Sequence, residues 1–200
     1  FYYLIAGLYE QNKGKEFFIQ SEEGFEIRFN YLKNFSLSKL DETHRQQLLD
    51  KYDELINALN YIAFMESEQT ELFSILLGIL HVGNLKFKAN EEGYAKFVYT
   101  SDTKHTLLAI SNLLGINTSA LIESLTTSLP TAGGRDEFLR NHTLEGALDA
   151  RDALAKHVYF KLFSWVVNKI NKTLSYDKTN SSNKSHLSEI KEIGLKALIF

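Results

Sequence analysis

Histidines and closely spaced carboxylates are the residues most able to do chemistry in this chain. Histidines stand at 44, 81, 105, 142, 157 and 186. None falls in His-x-x-x-His or His-Glu-x-x-His, the spacings that put two imidazoles on one helix face, so no metal centre is expected. His81 closes a long apolar run and reads as a helix-end side chain favoured by the dipole rather than as a ligand. Asp149 and Asp152 are three residues apart and could pair as carboxylates on one face. Arg151 and Lys156 beside them favour a solvated, charge-balanced first turn instead. Gly133-Gly134-Arg135 has the look of an anion-binding loop, but no Gly-x-x-x-x-Gly-Lys-Ser/Thr occurs, so a plain turn is the simpler reading. No Gly-x-Ser-x-Gly elbow is present either. On its own chemistry, this is a helical scaffold without a complete active site.

The elements that must carry those residues are mostly helical. The apolar start, Phe1 to Tyr9, reads as a buried helix tail, and 16–32 has no clear period. Leu48, Tyr52, Leu55, Leu59 and Ile62 step by four and three, the stripe of an amphipathic helix beginning at Asp41. Ser67 is the expected N-cap of the next helix, which is apolar nearly all round and should stop at Gly83 as its C′ residue. Leu85–Phe87 and Lys96–Tyr99 flank Asn90-Glu91-Glu92-Gly93, which predicts a small hairpin. Helices follow over 102–114, ending at Gly115, and from Thr118 or Ser119 to Leu125. The longest spans 149–174, with Leu154, Val158, Leu162, Trp165, Val166 and Ile170 at helical spacing and apolar residues on several faces. Residues 175–190 read as a polar surface loop, and 191–200 as a strand. The fold class is therefore mainly α, with one hairpin and a terminal strand.

Composition bounds the function. In 200 residues there is one proline, against roughly 5% in average usage, which favours long helices over a loop-rich sandwich. The absence of cysteine removes a disulfide scaffold, thiolate metal sites and a cysteine nucleophile. A net charge of −3 offers no basic stripe for nucleic acid, and no apolar run is long enough for membrane insertion. The first residues lack a methionine and a basic n-region, so no targeting segment is expected. Both ends read as cuts through a core, and the expected location is cytoplasmic.

Three stretches then stand out together. Ile79-Leu80-His81-Val82-Gly83-Asn84-Leu85-Lys86-Phe87 resembles the "ILHLGNIxF" signature of the myosin motor domain. Arg151-Asp152-Ala153-Leu154-Ala155-Lys156, with Tyr159, Leu162-Phe163, Trp165 and Ile170-Asn171, resembles that family's "RDALAKxxYxxLFxWxVxxIN" helix. Phe1-Tyr2-Tyr3-Leu4-Ile5-Ala6-Gly7-Leu8 is similar to the helix after switch I. Their order and spacing also match.

The resemblance implies a piece of an actin-based, ATP-driven motor built on the P-loop NTPase superfold, of an unconventional class, with cytoskeletal localisation. Residues 1–150 would be most of the upper 50 kDa subdomain, 149–174 the long helix, and 191–200 a divergent approach to switch II. Mg·ATP would belong to the complete motor, because the family's P-loop and switch I lie before Phe1. The family's switch II aspartate falls at Ala197, so these residues alone are expected neither to bind nor to hydrolyse ATP. The alternative is a degenerate motor or helical protein-binding module that does not hydrolyse nucleotide. The expected partners are the actin filament and the remainder of the motor domain. An actin-touching loop would span about 130–144, bringing Pro130, Gly133, Gly134, Arg135, Asp136 and Glu137 to the filament. Asp136, sixteen residues before Asp152, stands at the family's regulatory position and supplies its negative charge without phosphorylation. Lys86, Lys88 and Lys96 would add a second, weaker contact from the hairpin.

Overall fold

The computed structural model describes residues 1–21, 24–33, 35–128 and 140–180, with side chains through residue 173. Helices predominate, as expected. They are α1 (Tyr2–Glu10), α2 (Glu42–Tyr61), α3 (Glu66–Gly83), α4 (Ser101–Leu114), α5 (Thr118–Thr126) and α6 (Leu144–Asn180). Two small antiparallel sheets pair β1 (Phe87–Ala89) with β2 (Ala95–Phe97), and β3 (Thr127–Ser128) with β4 (Arg140–Asn141). The chain forms two compact units: Phe1–Glu26, Phe35–Phe73 and Tyr159 onward make the first, Ile27–Asn34 and Ser74–Val158 the second.

In the first unit, α1 lies against α2 so closely that a Cβ on Gly7 would sit 2.1 Å from Tyr52 Cγ. Only glycine permits that approach. Tyr52 is buried, and its hydroxyl donates to Gln11 Oε1 at 3.2 Å. Asp41 caps α2 by accepting the His44 N–H at 2.9 Å, and Tyr52, Leu59 and Ile62 of the expected stripe are buried. Both helices close through left-handed residues, Asn12 and Ala63, each at φ 57°. The Lys13 N–H then reaches the Leu8 carbonyl at 2.9 Å, and the Phe64 N–H reaches Leu59 at 3.0 Å. These are Schellman closures; asparagine tolerates the geometry, whereas Ala63 carries a strain of about 1–2 kcal/mol.

The start of α3 differs from expectation. It begins at Glu66, not after Ser67, because the Glu68 carboxylate reaches back to the Met65 N–H at 2.8 Å. Gly83 is its last residue but is absent from the positive-φ glycines, so it is no left-handed cap. The need for glycine there is spatial: a Cβ would fall 2.6 Å from the Tyr31 ring.

The second unit is built around Ile79, Val82, Leu85, Phe97, Ile110 and Leu125. Thr100 and Thr103 form a reciprocal capping box on α4, and Gly115 ends it at φ 66°. Asn117 caps α5 by accepting from the Ala120 N–H at 3.0 Å.

Helix α6 begins five residues before Asp149 and continues into the 175–190 stretch read as polar loop. Residues 181–200, with the expected strand and Ala197, lie outside the described residues. Within the first unit, α6 buries Leu162, Val166 and Ile170. Trp165 is 41% exposed, so the apolar residues on the several faces of this helix are not all covered. Among the described residues no single helix is long and apolar enough to cross a membrane.

Candidate functional site

The hairpin forms about the predicted turn, with both strands lying about two residues nearer to it than expected. Phe87 faces Phe97, Lys88 faces Lys96 and Ala89 faces Ala95. The phenylalanine rings meet edge to face at 5.9 Å toward the core. Alternation then puts Lys88 and Lys96 together on the opposite face, both exposed. Lys86 is also exposed, and its carbonyl accepts the Val98 N–H at 3.0 Å. Gly93, at φ 83°, turns the chain, while Asn90 Oδ1 accepts the Tyr94 N–H at 2.8 Å. Like charges directly across a ladder oppose pairing, so Lys88 and Lys96 are at their most stable with water or an anion between them.

Pro130, Gly133, Gly134, Arg135, Asp136 and Glu137 lie outside the described residues. Their stem does not. Thr127 pairs with Asn141 and Ser128 with Arg140, closing the base of that loop. Immediately beyond, the His142 N–H donates to the Thr126 carbonyl at 2.8 Å, and Ala95 donates to the His142 carbonyl at 2.8 Å. A bridge joins Tyr94 to Thr143. Hairpin and loop stem are thereby held on one edge of the second unit. Sequence reasoning missed β3 and β4, since two-residue ladders leave no period to detect.

The two signature stretches meet behind that edge. Asn84 Oδ1 accepts the Asn30 N–H at 2.8 Å, and its amide donates to the Arg28 carbonyl at 2.8 Å. Asn30 Nδ2 donates to the Gly83 carbonyl at 2.9 Å. Arg151 donates from Nε to Asp152 Oδ1 at 2.8 Å and from its terminal nitrogen to the Leu85 carbonyl at 3.2 Å. The Tyr31 hydroxyl completes the cluster by donating to the same Asp152 oxygen at 2.5 Å. Burial and the bond to Asp152 raise the Tyr31 phenol above its ordinary value. For Asp152, partial burial opposes ionisation, but the Arg151 and Tyr31 donors outweigh it and hold the carboxyl below the usual range. Asp152 is thus neither one of a catalytic pair with exposed Asp149 nor part of a first turn; it anchors a loop 121 residues away in sequence. His81 is fully buried, edge-on to Phe29 at 5.1 Å, so it is a core side chain rather than a helix-end charge. Among the described residues no three His, Cys, Asp or Glu stand together as metal ligands.

The family model for the myosin head (motor domain) matches residues 1–190. This chain belongs to the myosin motor-domain family. It is 34% identical to human myosin-IIIa over 192 residues, which covers 94% of the chain and 11% of that protein. It is 40% identical to chicken unconventional myosin-Ic over 119 residues, covering 60% of the chain and 11% of that protein. Against mouse myosin-IIIb the identity is 29% over 188 residues, 94% of the chain and 14% of the relative. The myosin piece thus spans a small fraction of each relative, and Ala197 falls beyond the stretch matched by the family model.

Proposed function

We propose that these residues form part of the actin-facing wall of an ATP-driven, cytoskeleton-associated motor, with residues 1–150 as most of the upper 50 kDa subdomain. The observation that supports this reading is the shared edge. The Ala95–His142 bond and the Tyr94–Thr143 bridge hold the lysine-bearing hairpin beside the stem of the loop that carries Asp136. Lys86, Lys88 and Lys96 suit an acidic filament surface, whereas Asp136 acts locally by shaping its loop or meeting a basic residue at the interface rim. Mg·ATP would be held by segments outside these residues, and no nucleotide step is derived from this chain.

The test is cosedimentation of the full-length protein with actin filaments at two salt concentrations, together with actin-activated ATPase. Lys88→Glu/Lys96→Glu should weaken binding severalfold at low salt and much less at high salt, since exposed charges act through a screened field. Asp136→Ala should lower actin activation severalfold. Variant curves superimposed on the parent at both salts would end the reading. A second reading, a degenerate motor that docks a partner without hydrolysis, is favoured by Ala197 at the switch II aspartate position. Persistent actin binding with no Mg·ATP turnover would select it.

A further inference from the structure

The entry to the hairpin is held by side chains as well as by backbone bonds. Helix α3 ends at Gly83 and β1 starts at Phe87, so three residues turn the chain from one to the other. Their backbone is tied through the Asn84 and Leu85 N–H groups, which reach the His81 and Val82 carbonyls at 2.9 and 3.1 Å. Asn84 then clamps the 28–30 segment from both sides, donating to Arg28 and accepting from Asn30. The Leu85 carbonyl, one residue before Lys86, accepts from Arg151. Arg151 is aimed by Asp152, and Asp152 is aimed by Tyr31, whose ring lies across Gly83. The circuit therefore runs from the end of α3 through the loop and α6, and back to the backbone that launches the hairpin. Its ionic members are only partly covered: 15% of the Arg151 side chain is exposed and 39% of Asp152, so each bond can open without unfolding the core.

We propose that Tyr31 and Asp152 are positioning residues for the hairpin of 86–97, acting through Arg151 on the Leu85 carbonyl. Their work is to fix the direction in which Lys88 and Lys96 are presented. A hairpin of three residues per strand has little stability of its own, so its orientation depends on how its base is fixed. The β2 strand is held from the side of His142, and the β1 strand from the side of Leu85. Loss of the Leu85 tie leaves β1 held mainly through its pairing with β2, which loosens the base where Lys86 bonds Val98. The consequence for actin rests on the function proposed above; the tie itself does not.

The experiment is amide hydrogen exchange on the full-length protein carrying Tyr31→Phe, Asp152→Asn or both. Tyr31→Phe keeps the ring over Gly83 and removes only the hydroxyl, so the fold survives. Exchange at Val98, whose N–H bonds the Lys86 carbonyl, should accelerate roughly tenfold while Ala95, held by His142, and α4 keep their protection, as expected for one lost charge-assisted hydrogen bond. The double variant should add little beyond either single one, because both break the same circuit. Unchanged hairpin exchange would overturn the proposal. So would a rise spread evenly through α4 and α5, which marks a merely structural role. Actin activation separates the two ideas: the actin concentration for half-maximal ATPase should rise while the plateau stays. If hairpin exchange rises and the actin curve does not move, the latch stands and the hairpin's place in actin binding fails.

Discussion

The two stretches of α6 hold their surroundings by opposite means. In the second unit, the helix buries small residues, Ala147 and Ala155, and its longest reach is polar: Arg151 and Asp152 extend to a carbonyl and to a tyrosine in irregular chain. In the first unit, it buries Leu162, Val166 and Ile170 at successive turns. The ion pair there, Lys169 with Glu68, lies beside aromatic rings, the Lys169 ammonium standing 4.6 Å from the Phe64 centroid and 5.9 Å from Trp165. Apolar seams hold without exact placement, because dispersion and burial are non-directional. Hydrogen-bonded ions fix direction while adding less stability. One helix therefore supplies adhesion in one stretch and aim in the other.

Removing adhesion should have the largest effect. Leu162 is 7% exposed on the seam, and Leu162→Ala should cost about 2–5 kcal/mol from lost burial and the cavity left behind. Denaturant titration of the full-length protein measures it. A loss comparable to that of Tyr31→Phe would erase the contrast between the two stretches.

That contrast was only half readable beforehand. The Leu162–Val166–Ile170 seam follows a local period, and the Gly115 stop of α4 is a local signal; these were visible in the order of residues, whereas the Thr100 cap was not read. The polar circuit was not, since Tyr31 meets Asp152 across 121 residues and no spacing rule reaches that far. The hairpin lysines were recognised, yet what fixes their base was hidden for the same reason. Gly83 was read as a backbone requirement when it is a contact requirement, which only the Tyr31 ring reveals. Trp165 shares the helical spacing of Leu162, Val166 and Ile170, yet it is 41% exposed. Spacing assigns a face; it does not say whether a neighbouring element covers that face.

Trp165 offers the intermediate test. It meets Phe64 edge-on at 5.6 Å but remains 41% exposed. Trp165→Ala should therefore cost about 1–2 kcal/mol in denaturant titration, below the ~3–5 kcal/mol of a fully buried aromatic. A loss in the higher range would mean that further chain covers this face in the full-length protein, making the first unit more adhesive still.

The smallest effect concerns the ion pair of the first unit and is read through pH. The bond from Lys169, and after it the Met65 N–H, holds the Glu68 carboxyl below its ordinary value. A carboxyl lowered in the folded state adds stability that is complete above its unfolded value, about pH 4–5. That contribution fades as pH falls through the lowered folded value. Lys169→Met keeps the stem over Phe64 and removes the charge. The parent's advantage over this variant should be steady near neutrality and close on acidification through the carboxylate range. Unfolding midpoints measured from pH 7 to pH 3 test this. A gap that stays constant across the series would assign Lys169 to stem packing and the ring contacts, leaving the Glu68 pair without a stabilising part.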